Sequence, residues 1–294
     1  MMKSGEERTH RSKYFSAKCA SANMVDYVND IDRSTKCDKR TKRSKSTSHP
    51  YNSTTTTKTT QKRTDACSRT TTSTTGKQQT VLTCRKFAID DYSKPTTELA
   101  KYLLGKRLVH QQDNGETLVG RVVETEAYPG VVDEASHSYG GKRTERTKAM
   151  FKDAGWSYVY SIYGMYVCLN VTSSDEGGAV LIRALQPVQG GDTMLKNRES
   201  RRRETARALK PHELCNGPAK LCQAMNIDRT LNQTDMKTSG QLYMVEDEDV
   251  CHDDIVVCTR IGIGGYGEKA SGKLYRYYVR GNPHVSVKDK LVDK

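Results

Sequence analysis

The sequence lacks the paired cysteines on which zinc sites and disulfide frameworks are built. Its nine cysteines are odd in number, and no two of them stand in Cys-x-x-Cys spacing. We therefore expect no structural metal and a reducing environment. Long apolar runs are also missing: no stretch approaches the roughly 20 residues of a membrane-spanning helix, and the first residues contain no apolar signal core. These absences predict a soluble, intracellular protein.

Composition divides the chain into two parts. Residues 1–84 are rich in Ser, Thr, Lys and Arg and nearly lack apolar runs. Such a segment cannot bury enough apolar surface to offset its ordering entropy, so we predict a disordered tail over 1–84 and one folded domain over 85–294. The tail holds 17 Lys and Arg against 7 Asp and Glu, and thus carries +10 of the total charge of +13.

The remaining charges of the domain are unevenly distributed. Six acidic residues lie within 246–254, whereas basic residues cluster at 142–152 and 196–207. This distribution suits a polyanion bound to one face, although charge alone fits a solvated basic surface equally well. In the tail, the basic run 39–45 resembles a nuclear import signal or a loose nucleic-acid tether, and both interpretations stay open. Glu6 and Glu7 disfavour a mitochondrial presequence.

Strand patterns dominate the domain. Residues 107–111 and 118–127 flank Asn114-Gly115, which predicts a hairpin because Asn-Gly supplies the positive φ angles of a tight turn. Further strand-like runs cover 158–162, 165–171, 179–186, 255–261 and 275–280, and helical patterns cover 192–197 and 218–226. Strands follow strands more often than they alternate with helices. We therefore predict an α+β fold around a curved, mainly antiparallel sheet.

Charged residues stand inside two of these strands. Glu124, Glu126 and Tyr128 share one face, and a carboxylate beside an aromatic ring could form the floor of a pocket. Taken alone, however, this peptide favours a solvated face of an antiparallel sheet. Arg183 interrupts an apolar strand and needs an anionic or oxygen partner, because an unpaired buried charge is costly. Glu126 could pair with it structurally, or both could hold one water.

Two further segments carry candidate residues. His137 follows the strand predicted over 118–127 and precedes Lys142 and Arg143, whose charges are suited to binding phosphate. A lone His, however, is more often a structural residue. The run 158–170 predicts a hairpin with Tyr163 at its tip. An exposed aromatic at such a tip could enter the minor groove and fill the hole left by an extruded base, or it could be an ordinary turn residue.

Together these motifs resemble the alkyladenine (3-methyladenine) DNA glycosylases, in the eukaryotic form with an N-terminal tail. The matching segments, in order, are Glu-Thr-Glu-Ala-Tyr at 124–128, then Gly130, Asp133, 135–138, 158–166, Asn170, 180–187, 217–222 and 281–286. The resemblance covers about residues 90–290 and excludes the tail and the acidic run. It implies a single mixed α/β domain around a curved antiparallel sheet.

The resemblance also implies a reaction. A hydrolase without metal or other cofactor would flip alkylated or deaminated purines out of duplex DNA and cleave the N-glycosidic bond. Glu126 would be the general base, and Arg183 and the carbonyl of Ile261 would hold the attacking water with it. The flipped base would lie between Tyr128 and Tyr160. His137 would close the pocket at the edge of the base.

Specificity and DNA contacts follow from the same resemblance. Asn170 would exclude the 2-amino group of normal guanine, and Tyr163 would be the intercalating wedge. We also predict DNA contacts from Met165, Lys142, Arg143 and Lys220. We expect a monomer that is located in the nucleus and does not associate with membranes, and a mitochondrial copy stays open. Its partner is duplex DNA that contains damaged purines, and downstream repair proteins would act after it. The alternatives are a non-catalytic damage-binding module and a hydrolase of free nucleosides or RNA.

Overall fold

The computed structural model describes residues 85–203, 205–290 and 292, so the tail predicted over 1–84 lies outside the described residues. The strands are β1 (Arg107–Gln111), β2 (Thr117–Tyr128), β3 (Ser157–Ile162), β4 (Tyr166–Thr172), β5 (Ala179–Gln189), β6 (Leu242–Val245), β7 (Ile255–Cys258) and β8 (Arg276–Val279). The α-helices are α1 (Ile89–Tyr92), α2 (Thr96–Tyr102), α3 (Gly191–Glu199), α4 (Pro218–Ala224) and α5 (Glu268–Ser271). Short 3-10 turns cover Gly130–Val132, Tyr139–Gly141, Lys148–Phe151, Pro211–Glu213, Arg229–Leu231, His252–Asp254 and Gly264–Tyr266. None of the helices in these ranges has the length and apolar character needed to cross a bilayer.

All the strands belong to one antiparallel sheet. Along its main path the order is β3-β4-β5-β2-β1-β6, while β8 pairs with both β2 and β7. The predicted β1–β2 hairpin is confirmed, with Arg107 opposite Arg121 and Gln111 opposite Thr117. Gly115 has φ +84°, a conformation that Asn-Gly turns supply at little cost. The predicted mixed α/β fold around a curved antiparallel sheet is therefore confirmed.

The sheet curves where β2 leaves β1 and continues beside β8. Its pairing with β5 is irregular in this region, because Val122 faces Leu185, Glu124 faces Ala184 and Thr125 faces Ile182. Val123 and Arg183 are thus extra residues of β-bulges, which bend a strand and redirect its side chains. The bulges lie directly beside the carboxylates of β2.

Apolar clusters cover both faces of β2. Val122 packs in the cluster that contains Leu99 of α2, whereas Val123 packs in a separate cluster with Val256 and Tyr278. Because successive residues point to opposite faces, both faces are enclosed and the polar residues between them are enclosed too. Glu124 and Glu126 are both 0% exposed. The solvated-face interpretation of this peptide is therefore wrong.

The acidic run after β6 is paired with basic side chains of the fold. Asp247 accepts from Arg107 Nε at 2.7 Å and from Arg121 Nε at 2.9 Å. Glu246 lies 2.8 Å from Lys106 Nζ, whose side chain is 2% exposed. The run thus neutralises Lys106, directly before β1, and arginines of β1 and β2. Four of its carboxylates, including Glu248 on Arg121 and Asp249 on Lys106, serve the fold directly.

Candidate active site

The end of β2 delivers two site residues to the interior. Tyr128 Oη donates a hydrogen bond to Glu126 Oε2 at 2.9 Å, as their positions two apart on one strand face allow. Immediately afterwards the chain turns at Gly130, which has φ +64°. A Cβ there would lie 2.0 Å from the carbonyl oxygen of Glu176, so only glycine fits against the 176–178 turn. This turn leads directly into the segment that carries Asp133 and His137.

Arg183 is the cationic partner of the buried carboxylates. Its Nη1 lies 3.2 Å from Glu126 Oε2, and its Nε donates to Glu124 Oε1 at 3.1 Å. Burial alone would lower the pKa of Arg183, but Glu126 and Glu124 raise it above the usual value. The guanidinium therefore stays charged inside the fold. A buried charge requires such partners, because removing one of them leaves the other uncompensated.

Ile261 completes the contacts of Glu126. Its backbone N–H donates to Glu126 Oε1 at 2.7 Å, so each carboxylate oxygen is directly engaged by a donor. The sequence resemblance pointed to the carbonyl of Ile261, whereas the contact found here uses its amide. The segment after β7 therefore approaches the end of β2 closely enough to hold the carboxylate in one orientation.

Three rings that contact one another, those of Tyr158, Tyr160 and His137, line the same cleft as Glu126 and are called the aromatic slot below. Tyr160 and Tyr158 are stacked at 5.1 Å between centroids, and His137 meets Tyr160 edge-on at 4.7 Å. His137 Nδ1 also hydrogen-bonds with Tyr158 Oη at 2.9 Å. Burial, with Arg146 and Lys142 nearby, lowers the pKa of His137 to about 4. The imidazole is therefore neutral at neutral pH and offers one donor and one acceptor.

One cleft of about 440 Å³ brings most of the sequence-predicted residues together. The predicted residues that line it are Glu126, Tyr128, His137, Tyr160, Tyr163, Asn170, Arg183 and Ile261. Asn170 is 4% exposed, and its Nδ2 donates to the carbonyl of Tyr158 at 2.9 Å, which fixes the amide against the slot. A carboxylate, a guanidinium and a set of rings thus share one concave surface.

The hairpin tip stands at the edge of this cleft. Tyr163 is 80% exposed and Met165 is 63% exposed. Tyr163 has φ +49° and Gly164 φ +74°, so the turn holds the tyrosine in a conformation that non-glycine residues rarely adopt. A large ring held outward on a strained turn is a feature typical of functional positions.

The predicted basic contacts lie outside the cleft lining. Lys142 and Arg143 are exposed, and Arg143 lies over the Phe151 ring at 3.8 Å and 3.1 Å from Glu176. Lys220 Nζ donates to Asn216 Oδ1 at 3.0 Å. Met165 also belongs to the surface rather than to the cleft. These side chains therefore lie around the cleft and not inside it.

Sequence reasoning missed several residues of the cleft. Arg146 lies 5.0 Å from the Tyr160 ring centroid, with its Nη2 3.4 Å from His137 Nε2. Cys168 and Tyr266 also line the cleft. The sequence places Arg146 only in the basic cluster at 142–152, which fits a polyanion-binding face or a solvated surface and does not indicate a place in the cleft. No feature of the sequence marks Cys168 or Tyr266, because strand residues and loop aromatics are usually packing groups.

The cleft combines a buried carboxylate with aromatic rings, and exposed cations and a projecting tyrosine lie around it. This arrangement suits a hydrolase that acts on single bases of a nucleic acid. The family model described as methylpurine-DNA glycosylase (MPG) matches residues 90–283. The chain belongs to the methylpurine-DNA glycosylase family. It is therefore a DNA glycosylase, a hydrolase of DNA repair.

Individual relatives agree with this assignment. The DNA-3-methyladenine glycosylase of Homo sapiens is 43% identical over 211 residues, which are 71% of this chain and 70% of the human protein. The protein of the same name from Mus musculus is 45% identical over 206 residues, 69% of this chain and 62% of its own length. A relative from Clostridium perfringens (strain SM101 / Type A) is 45% identical over 202 residues, 68% of this chain and 98% of its own length.

Proposed function

We propose that this glycosylase excises 3-methyladenine, together with 7-methylguanine, hypoxanthine and ethenoadenine, from duplex DNA and leaves an abasic site. The names of the human and mouse relatives support the first substrate. The observation that carries the proposal is the placement of Glu126, which is 0% exposed and held by Arg183, Tyr128 and Ile261 in a cleft with aromatic walls. Such a carboxylate is oriented for one proton transfer.

In the proposed reaction a water attacks the sugar carbon C1′ of a flipped nucleotide. The new C–O bond forms as the N-glycosidic bond breaks, and the electron pair of the broken bond leaves with the purine. Glu126 accepts one proton of the water, Arg183 donates a hydrogen bond to the water's oxygen, and the carbonyl of Ile261 accepts a hydrogen bond from the water's other O–H. A positioned general base contributes roughly 10²–10⁴-fold to the rate. A 3- or 7-alkylated purine is cationic, so its departure neutralises the ring and needs no further acid. Hypoxanthine and ethenoadenine are neutral, so each leaves with the electron pair as an anion that takes up a proton from solvent water.

In this proposal the damaged base is recognised by the aromatic and polar side chains of the cleft. The flipped base stacks between Tyr128 and Tyr160, and a cationic purine gains about 0.5–2 kcal/mol from tyrosine faces. His137, neutral because burial and nearby cations lower its pKa to about 4, can donate or accept at the base edge. Asn170, held by the carbonyl of Tyr158, stands where a 2-amino group of guanine would clash.

DNA engagement in this proposal uses the surface around the cleft. Tyr163 enters the base stack and fills the space of the extruded nucleotide, and Met165 lies beside it on the same turn. Lys142, Arg143 and Lys220 contact phosphates, which position the duplex without reading its sequence. Damaged or mispaired bases cost less to extrude than sound pairs, so flipping adds to selectivity.

The direct test is base release from a panel of duplexes, each carrying one of the four lesions. The proposal expects free base and an abasic site that alkali cleaves, and no excision from an undamaged duplex. Tight lesion binding without product would favour the damage-binding module. If free nucleosides were hydrolysed as fast as the lesion duplex, the result would favour a nucleoside hydrolase. The exposed Tyr163 would have no role in such an enzyme.

We further propose that the protein is a monomer, passes its abasic product to downstream repair proteins and works in the nucleus. Support for nuclear import comes from the basic run 39–45, which lies outside the described residues. A fluorescent fusion in which Lys39, Arg40, Lys42 and Arg43 are replaced by Ala should lose nuclear accumulation. Unchanged accumulation would exclude this run as the signal.

A further inference from the structure

A further buried ion pair joins Asp133 to Arg260 and has no part in the reaction proposed above. Both side chains are 0% exposed. Arg260 Nη2 donates to Asp133 Oδ1 at 2.9 Å, and Nη1 donates to Asp133 Oδ2. A bidentate contact of this kind fixes the orientation of the guanidinium as well as its position. Asp133 leads into the segment of His137, and Arg260 directly precedes Ile261.

Arg260 also contacts the strand that carries Glu126. Its Nη1 donates to the carbonyl of Ala127 at 3.0 Å, and its guanidinium lies 4.6 Å from the Tyr128 ring centroid. The next residue, Ile261, donates its N–H to Glu126 at 2.7 Å. One guanidinium is therefore tied to the two residues of β2 that follow Glu126, and it belongs to the segment that supplies the amide donor.

We infer that Arg260, held by Asp133, is a positioning residue for Glu126. It keeps the amide of Ile261 and the hydroxyl of Tyr128 on the carboxylate, and so sets the direction in which Glu126 faces the water. This inference rests on the proposed role of Glu126 as the general base. Displacing a reacting group by about 1 Å can cost about 10²-fold in rate, so a residue that never touches the substrate can still control the reaction.

Electrostatics adds to this geometric effect. Burial opposes the charge of Arg260, but Asp133, followed by Tyr128 and Glu126, raises its pKa. Arg260 is therefore a cation close to the proposed general base, and a cation near a carboxylate favours the charged form of that carboxylate. The charged and titratable groups that interact with Glu126 are Tyr128, Cys168, Arg183, Cys258 and Arg260. Removing one cation from this set should move the acid limb of the pH–rate profile to higher pH.

The test compares Arg260→Gln and Arg260→Lys in single-turnover excision of hypoxanthine from a duplex across pH. Arg260→Gln should be about 10²-fold slower, with its acid limb at higher pH and its Kd for the lesion duplex within about twofold of the wild-type value, because Arg260 lies outside the cleft lining. Arg260→Lys keeps the charge but not the planar fork. It should lose about 10-fold in rate and keep the wild-type acid limb.

Arg107→Gln is the matched control. Arg107 makes a similar bidentate contact with Asp247, at 2.7 and 2.6 Å, on β1 outside the cleft lining. This variant should melt at a lower temperature and keep the wild-type rate and profile. If it slowed excision and moved the acid limb as much as Arg260→Gln, the loss of any ion-paired arginine would suffice, and the inference would be overturned.

The inference that Arg260 positions Glu126 would also be overturned if both Arg260 variants kept the wild-type excision rate and the wild-type acid limb. If Arg260→Gln does not fold, Arg260→Lys decides alone: a rate reduced at an unmoved acid limb supports positioning, and a wild-type rate contradicts it. The Glu126→Gln variant distinguishes failure of the proposed function from failure of the inference about Arg260. A fully active Glu126→Gln variant would refute the proposed function, whereas an inactive one alongside unaffected Arg260 variants would refute only the inference.

Discussion

Glu124 and Glu126 contact different nitrogens of one guanidinium: Glu124 Oε1 accepts from Arg183 Nε at 3.1 Å, and Glu126 Oε2 lies 3.2 Å from Arg183 Nη1. The Glu124 carboxylate also accepts from Arg276 Nη1 at 3.0 Å and from the backbone N–H of Ser286 at 2.7 Å. It therefore joins β2, β5, β8 and the segment after β8 at one buried point. Arg183 faces Glu126 in a fixed direction because Glu124 holds its Nε.

Glu124→Gln should destabilise the fold and slow excision. The amide keeps the side-chain size but removes the negative charge that compensates the buried Arg183 and Arg276. Breaking a buried ion pair from one side costs about 3–5 kcal/mol, which urea unfolding would measure. A change in unfolding free energy below about 1 kcal/mol would show that Glu124 behaves as an exposed carboxylate does.

His137 should remain neutral throughout the physiological pH range. Its pKa is about 4 in the folded protein against an ordinary value of 6.5, because burial and the cations Arg146 and Lys142 oppose the charged form. The unfolded chain therefore binds the extra proton first as pH falls. Stability from this group is complete above about 6.5 and is lost as pH falls from 6.5 toward 4.

The measurement is an NMR titration of the imidazole, combined with melting curves across the same pH range. After allowance for partial exposure, His137 should account for about 2 kcal/mol of acid destabilisation. His137→Gln should lose that share of the pH dependence. An imidazole that titrates near 6.5, or an unchanged melting profile in the variant, would contradict the neutral assignment.

Local signals in the sequence were enough to predict much of the fold. Asn114-Gly115 and the flanking alternation gave the β1–β2 hairpin, and the apolar runs gave β3, β4 and β5. The strand β6 was missed because its four residues, Leu242–Val245, show no clear alternation. The burial of Glu124 and Glu126 was also missed, since a strand covered on both faces has the same polar alternation as a half-exposed one.

Ion-pair partners were the least predictable feature of the site. Arg260 and Asp133 are 127 residues apart in the chain, and Arg107 and Asp247 are 140 apart. No local pattern links such residues, because only the folded sheet brings them together. The family resemblance named Glu126, Arg183 and several other residues of the cleft, but it said nothing about the groups that hold them. The sequence offered Glu126 as a possible partner of Arg183, and the two side chains lie 3.2 Å apart. The contacts of Glu124 with Arg183 and of Arg260 with Asp133 could not be inferred from the sequence.

Tyr163→Ala should impair excision from duplex DNA by at least about 10-fold if the ring stabilises the flipped state. A lesion in a single strand, which needs no extrusion, should be excised at the wild-type rate. Folding stability should change by less than about 0.5 kcal/mol, because Tyr163 is 80% exposed. Tyr139→Ala, which removes a 48% exposed tyrosine outside the cleft lining, is the control. Equal losses on both substrates would argue against the wedge.

Asp247→Asn should weaken the fold and leave catalysis intact. Asp247 is held by Arg107 and Arg121, so the variant leaves two half-buried guanidinium groups without a full counter-charge. Hydrogen bonds to charged groups contribute roughly 1.5–3 kcal/mol each, and chemical unfolding should show a loss of this order. Asp253→Asn changes a side chain that is 96% exposed and should have no effect. Tighter DNA binding by Asp247→Asn would instead indicate that the acidic run repels DNA.

We propose that Glu126 activates the attacking water, and the excision rate of the Glu126→Gln variant measures this role. The amide preserves the size of the side chain but cannot accept the proton. We expect single-turnover release of hypoxanthine to fall by about 10²–10⁴-fold while lesion-duplex affinity stays within a few-fold, with the exposed Glu98→Gln variant as control. Release at the wild-type rate by a folded Glu126→Gln protein would contradict the claim.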